Sequence, residues 1–375
     1  MLDTIQTAIA AIAAGELVVV VDDTDRENEG DLIMAAEKAT PEKLAFMIRH
    51  TSGIICVPLP AERAEALNLE PMVANNIDPF RTAFTVSVDY KVGMTTGISA
   101  IERTNTIRAL AGGNSHASDF IRPGHIFPLI AREGGVLARS GHTEAGVDLA
   151  RLAGFEPAGV LAEVVNDDGT VKRLPELIAF AKEHGLKIIS IEDLISYRLS
   201  QEGLMKRVAV IPTLVSGMNA EAYAYETPLD PLQQLALVIG DVHDKENVPV
   251  RIYREQPLKD LLARGNGDTD PLTQAVAEIK ARGGCGIVIL LRSTAALERE
   301  PDTKKTPTRL EADGKDGERH GSALKRIAGW REVGVGAQIL RDLGVRSIAL
   351  MSSSERQYVG LGGFGIVISD RIVLK

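Results

Sequence analysis

Leu17 to Val21 is an unbroken apolar run, and four of its five residues are valine. β-Branched side chains are stiff at χ1 and suit an extended backbone. A run without polar alternation has no face to offer to water, so it reads as a strand buried on both sides. Directly after it, Asp22 to Asp31 holds six carboxylic acids and a single basic residue, Arg26. Like charges so close repel and raise one another's pKa. Any fold for this chain must cover the strand on both faces and find a use for the acids at its end.

The neighbouring segments supply cover. Thr4 to Ala14 is apolar at helical spacing, with Gly15 placed to end the helix. Pro41 to His50 reads as a helix capped by Thr40. "GIICVPL" reads as another buried strand, "AFTVSVDY" as a partly alternating one, and "AGVLAEVV" as a third. "GISAIERTNTIRALAGG" is a helix closing on Gly112. "HTEAGVDLARLAG" is a helix with Thr143 as a possible N-cap and Gly154 after its end. "RLPELIAFAKEHGLKIISIEDLISYRLSQEG" reads as helix, strand, helix. Near Gly203 this unit closes, and "KRVAVIPTLVSG" restarts with a strand. The pattern predicts two domains, residues 1–204 and 205–375. Each is a mixed sheet covered by helices, in the α+β or α/β class. Within the second, Ser293 to Ser322 is polar, charged and poor in large apolar residues, as functional or disordered loops are.

Composition bounds the partners. A net charge of −9 argues against nucleic acid and against a basic membrane-binding face. No apolar window is long enough for a transmembrane helix. The first residues lack the basic start of a secretory signal, so a cytoplasmic protein is expected. Two cysteines, Cys56 and Cys285, suggest no disulfide framework and cannot make a four-thiolate zinc site. No glycine-rich phosphate-loop motif and no fixed-period repeat is present.

Several constellations can carry chemistry. The acidic run reads either as a solvated loop or as a hard-cation site, since Mg²⁺ takes carboxylate oxygens. Its place after a strand favours the second reading, because α/β folds bind ligands beyond strand carboxyl ends. "ARSGHTEAG" sets Arg139, Ser140, Gly141, His142 and Thr143 before a helix, where free N–H groups suit a phosphate. An ordinary capped helix with an outward histidine explains the same residues. His125 falls on a probable turn after Pro-Gly. Glu163 interrupts an apolar strand; a carboxylate there needs a partner, and beside a cation it becomes an acid/base candidate. Cys56 reads as a small buried hydrophobe, and Thr95 and Thr96 as helix caps. Taken together, an acidic metal loop, an Arg/His/Thr anion pocket and a buried glutamate suit enolisation of a phosphorylated ketose.

The stretches "DDTDRENEGDLIMAA", "SGIICVPL", "GMTTGISAIERTNTI", "RPGHIFPL" and "RSGHTEAGVDLARLAG" closely resemble 3,4-dihydroxy-2-butanone 4-phosphate synthase of riboflavin biosynthesis, over about the first 200 residues. That resemblance implies conversion of D-ribulose 5-phosphate to 3,4-dihydroxy-2-butanone 4-phosphate and formate, with Mg²⁺ or Mn²⁺, in a homodimer. By motif position it implies Glu27 and His142 as metal ligands. Arg26, Glu27, Asp31, Arg139, Ser140, Gly141, His142, Thr143 and Glu163 would contact the sugar phosphate. His125 and Glu163 would be essential for turnover, and Asp31 would share the acid/base work.

The second half resembles a GTP cyclohydrolase II domain, most clearly in "REVGVGAQILRDLGVRSIALMSSSERQYVGLGGFGIVI". That family's zinc site uses three cysteines. Here Gln256, Gly267 and Thr269 stand in their places, Val333 replaces a tyrosine, and the long charged segment replaces the substrate loop. Without thiolates Zn²⁺ would be weakly held. The expectation is a domain that keeps the fold, binds no Zn²⁺ and has lost the reaction. The alternatives are a bifunctional enzyme that still hydrolyses GTP, or a nucleotide- or partner-binding module.

Overall fold

The computed structural model describes residues 2–23, 26–228, 230–256, 271–293, 334–352 and 366–374. Gly267, Thr269, Val333 and the charged segment after Ser293 lie outside them. The described residues form two units that divide between Ile195 and Ser196. No described helix is long and apolar enough to cross a membrane.

In chain order the first unit comprises α1 (Ile5–Ala13), β1 (Val18–Val21), β2 (Gly30–Ala35), α2 (Pro41–His50), β3 (Cys56–Leu59), α3 (Ala61–Ala66), β4 (Val88–Tyr90), α4 (Ala100–Ala111), β5 (Phe120–Ile130), α5 (His142–Leu152), β6 (Gly159–Glu163), α6 (Leu174–His184) and β7 (Lys187–Ser190); α7 (Ile191–Gln201) follows. The strands form one mixed sheet in the order β4-β5-β3-β6-β2-β1-β7. The valine run is β1, one strand in from the β7 edge of that order, antiparallel to β2 and parallel to β7. All four of its residues are buried.

Strand alternation then sorts the faces. Val19 and Val21 of β1, Leu32 and Met34 of β2, Val57 and Leu59 of β3 and Val160 and Ala162 of β6 share one core with residues of α2, α4 and α6. The intervening residues (Asp31, Cys56, Leu161, Glu163) point to the other face, where α1 and α5 lie. The sheet therefore has an oily face and a face that can carry chemistry, both covered by helices.

Helix α5 sits unusually close to that second face. A Cβ at Gly159 of β6 would lie 2.9 Å from the backbone of Gly146 in α5, and one at Gly146 would lie 2.9 Å from Pro58 Cγ. Only paired glycines allow the two backbones this approach.

The local expectations hold for α1, β1 and α2, whose N-caps are Thr4 and Thr40 as their side chains require. Others are corrected. His125 lies inside β5 rather than on a turn, because β5 runs through Pro123-Gly124 and pairs with both β3 and β4. "AFTVSVDY" narrows to Val88–Tyr90 as a strand. Helix α4 is capped by Ser99 in a capping box with Glu102, while Thr95 bonds the same carboxylate from the loop. Helix α5 begins at His142 with Gly141 as N-cap, so Thr143 belongs to the first turn. Asp31 belongs to β2, not to the loop before it.

The second unit contains β8 (Lys206–Val215), β9 (Met218–Thr227), β10 (Asp230–Ile239), β11 (Val248–Arg254), α8 (Pro271–Ala281), β12 (Gly286–Leu291), α9 (334–342), β13 (Ser347–Ser352) and β14 (Val367–Val373). Its sheet runs β14-β13-β11-β12-β10-β9-β8, a meander joined to a parallel half. Ile239, Ala275, Ile279, Val288, Met351 and Ile372 belong to its core. Cys285 lies just before β12, its thiol 2.9 Å from the Asp241 carbonyl.

Candidate active site

The acidic run is not a set of mutually repelling side chains in water. Asp22 turns its carboxylate back into its own loop: Oδ2 accepts from Arg26 Nη1 (2.9 Å) and from the Glu27 N–H (3.0 Å), and Oδ1 accepts from the Glu29 N–H (2.9 Å). Arg26 also donates to Glu27 Oε2 at 2.5 Å and lies over the Phe80 ring. One acid thus organises the backbone, the arginine balances two charges, and Glu27, Glu29 and Asp31 are left to face a cleft.

The sheet delivers the next pair. In the β2–β6 ladder Asp31 stands opposite Glu163, so both side chains leave the sheet on the α5 side. Asp31 is 2% exposed, and its Oδ1 is buried without a hydrogen-bond partner. Glu163 Oε2 accepts from Ser52 Oγ at 2.7 Å.

Above them comes the start of α5. The His142 ring is buried, with Nε2 3.1 Å from the Val20 carbonyl of β1. A carbonyl only accepts, so Nε2 carries the proton and, in a neutral ring, Nδ1 keeps its lone pair. Nδ1 lies 3.7 Å from Glu27 Oε2 and 3.7 Å from Asp31 Oδ1. Gly141 makes no side-chain cap, leaving the first N–H groups of α5 for a ligand. Arg139 donates to Glu144 (2.7 Å) and to the Thr82 hydroxyl and Phe80 carbonyl (each 3.2 Å), which fixes its guanidinium at the cleft wall.

The charges shift accordingly. Burial would raise the Glu27 pKa, but the His142 imidazole and Arg26 guanidinium outweigh it and hold it down to about 2. Burial, reinforced by Glu163, Glu27 and Asp22 against His142, pushes Asp31 up to about 8. Burial would lower His142, yet Asp31, Glu27 and Asp22 drive it up to about 9. Burial also raises the Cys56 thiol, which stays neutral.

The cleft thus gathers Arg26, Glu27, Asp31, Arg139, His142, Thr143 and Glu163. Ser140 and Gly141 are the approach to α5 and not part of its lining. His125 stands apart: β3 lies between β5 and β6, so about 10 Å of sheet separates it from Glu163. Its Nδ1 is 2.7 Å from Asp89 Oδ2, and its N–H donates to Asp89 Oδ1 at 2.9 Å. Six lining residues went unread as such: Glu29, Cys56, Thr82, Phe84, Leu129 and Leu161. Alternation was the available signal for two of them, since Glu27, Glu29 and Asp31 are spaced by two and Cys56 falls on the odd face of its strand.

The donor set fits a hard divalent cation. Oxygens of Asp22 and Glu27 and a nitrogen of His142 lie within 4.8 Å of one another. Asp22 is already committed to its loop through the Glu27 and Glu29 N–H groups, which leaves Glu27 and His142 as the candidate ligands, with the orphaned buried Asp31 oxygen 3.7 Å from His142 Nδ1 beside them. Among the described residues the second unit brings no such group together.

Comparison with known proteins finds two families along the chain. A family model described as 3,4-dihydroxy-2-butanone 4-phosphate synthase matches residues 6–197, and one described as GTP cyclohydrolase II matches residues 206–373. The chain is 47% identical over 374 residues to the riboflavin biosynthesis protein RibBA of Nocardia farcinica, covering 99% of this chain and 90% of that one. A crystal structure of RibBX, a two-domain 3,4-dihydroxy-2-butanone 4-phosphate synthase from A. baumannii, is 36% identical and superposes with a TM-score of 0.73, covering 100% and 99%. A single-domain synthase solved with two magnesium ions is 50% identical, with a TM-score of 0.52, covering 54% of this chain and 99% of that one.

Proposed function

The chain belongs to the 3,4-dihydroxy-2-butanone 4-phosphate synthase family, with a GTP cyclohydrolase II-family domain following, and from this membership we propose how its acidic cleft works. It is an enzyme of riboflavin biosynthesis that forms 3,4-dihydroxy-2-butanone 4-phosphate. The substrate is D-ribulose 5-phosphate, whose fourth carbon leaves as formate. The observation that carries the reading is the row formed by Asp31 and Glu163 beneath the His142 imidazole, with the uncapped start of α5 beside it.

The phosphate sits at the N–H groups of Thr143 and its neighbours, beside Arg139, with Arg26 near the sugar; Ser140 and Gly141 shape this approach. Glu27 and His142 would hold the divalent ion, taken as Mg²⁺ with Mn²⁺ as a substitute. Bound there, the ion supplies Lewis-acid polarisation of the sugar oxygens. Asp31, buried opposite Glu163 and 3.7 Å from His142 Nδ1, takes the proton beside the ketone and returns it. Glu163, oriented by Ser52, serves the proton transfers on the other carbons. His125, oriented by Asp89, joins from a second copy of the chain in a homodimer, which its distance from Glu163 along the sheet favours.

We take the synthase domain as residues 1–204 and the second domain as 205–375, and place the protein in the cytoplasm, with no nucleic-acid or membrane partner. The second domain keeps its sheet but not the cyclohydrolase reaction, and holds no Zn²⁺. Gln256 standing in a thiolate position and the single cysteine of this half, Cys285, support that reading. The deciding experiment supplies purified protein with ribulose 5-phosphate and Mg²⁺ and follows formate and the four-carbon product. Turnover by wild type and its loss in Glu27→Gln are expected; full activity in that variant would overturn the ligand assignment.

A further inference from the structure

The loop between β1 and β2 is held at two points. From within, the Asp22 carboxylate accepts the Glu27 and Glu29 N–H groups (3.0 and 2.9 Å). The second hold comes from a residue far away in sequence. Arg173, directly before α6, donates through Nη1 to the carbonyls of Glu27 (2.8 Å) and Asn28 (2.6 Å) and lies 3.9 Å from Glu29 Oε1. Between the two holds, Asn28 adopts φ +55°, a left-handed conformation that needs support from its surroundings. Arg173 is itself anchored: its N–H donates to Glu176 Oε2 at 2.9 Å, and Asn166 donates to Glu176 Oε1 at 3.2 Å.

Arg173 does not line the cleft. It grips the two successive peptide oxygens that flank Asn28, the first of them Glu27's own carbonyl, so it controls the direction in which the Glu27 side chain leaves the backbone. We propose that Arg173 is a positioning residue, whose guanidinium locks the loop in the conformation that presents the Glu27 carboxylate to a divalent cation beside His142. The inference rests on the reading of Glu27 and His142 as ligands.

Charge alone predicts the opposite sign. A cation near an Mg²⁺ site repels the ion, so removing Arg173 would tighten binding if only Coulomb forces mattered. Its side chain is 47% exposed, which screens that effect and makes the substitution tolerable to the fold. Loss of positioning weakens binding instead, by roughly 10–100-fold for an outer residue that orients a ligand.

The test is calorimetric titration of Mg²⁺ into the metal-free full-length protein, for wild type, Arg173→Gln, Arg173→Lys and Glu27→Gln. The proposal expects weaker Mg²⁺ binding in Arg173→Gln and a smaller loss in Arg173→Lys, which keeps one charged donor nitrogen on a shorter stem. Metal-free melting temperature should stay at the wild-type value, and kcat should recover when Mg²⁺ is raised to saturation. Wild-type or tighter Mg²⁺ binding in Arg173→Gln overturns the proposal while leaving the ligand reading intact. A fallen melting temperature with kcat not restored by saturating Mg²⁺ also overturns it, assigning Arg173 to the fold. Wild-type Mg²⁺ affinity in Glu27→Gln overturns the ligand reading beneath it.

Discussion

Asp31 and Glu163 face each other across adjacent antiparallel strands, one buried without a hydrogen-bond partner and the other tied to Ser52. Two acids in one cross-strand pair are costly unless the site uses them. Asp31→Asn and Glu163→Gln should each lower kcat by roughly 10²–10⁴-fold, the usual range for a lost general acid or base. The double variant should fall little below the worse single one, because the two acids serve different proton transfers and the slower step limits kcat. Steady-state kinetics with ribulose 5-phosphate measures this; losses that multiply would place both acids in the same rate-limiting step.

The same charges make the metal-free protein sensitive to alkali. The His142 pKa is raised from 6.5 to about 9, so its stabilising contribution is complete below about pH 6.5 and is lost as the pH rises through 9. Asp31, raised from 3.8 to about 8, acts in the same sense. Glu27, lowered from 4.5 to about 2, matters only toward strong acid, where its contribution is lost as the pH falls. The melting temperature without metal should therefore decline between about pH 6.5 and 9. Mg²⁺ should restore it, more at pH 8.5 than at pH 6.5, because the ion replaces a proton on His142. A metal-free melting temperature that is flat or rises over this window contradicts the assignment.

The contact between α5 and β6 leaves no room for a methyl group. Gly159→Ala should cost about 1–3 kcal/mol of stability, the range for overpacking. It should also reduce turnover, since shifting α5 moves His142 and Thr143. Urea unfolding at two wavelengths, alongside kcat, checks both effects.

His125 offers a test of assembly. If it acts in the cleft of a second copy, His125→Asn and Glu163→Gln proteins should each be nearly inactive alone, and regain activity when mixed and allowed to exchange subunits. A mixture as inactive as its components would confine all the chemistry to one chain.

The second domain should release no formate from GTP, with or without added Zn²⁺, while the same preparation releases formate from ribulose 5-phosphate. Metal analysis should find less than one zinc per chain. A pyrimidine product from GTP would restore the bifunctional reading.

Much of this was legible in the sequence, for identifiable reasons. The valine run, the Thr40 cap and the paired strand–helix units depend on local preferences, and they were read correctly. Arg26, Glu27, His142 and Glu163 were singled out because charged groups stand out against apolar or acidic surroundings, and the fold brings them to one cleft. Register was not legible. Nothing local says that Asp31 is in a strand, that it opposes Glu163, or that β5 carries His125 through a Pro-Gly pair. Cys56 was read as buried, which it is, but its facing the cleft follows from strand parity. Arg173 was invisible because its partners are peptide oxygens 145 and 146 residues away.

One participant in the site has no side chain in it. The carbonyl that accepts the hydrogen bond from His142 Nε2–H belongs to Val20, and any residue there would present the same oxygen. The bond therefore depends on the phase of the strand, while the fully buried Val20 side chain answers only to packing. Substitutions at 20 that fill the same space and keep the sheet in step should leave the bond intact, while an insertion or deletion upstream that advances the strand by one place would turn the oxygen away and leave every acid of the cleft unchanged.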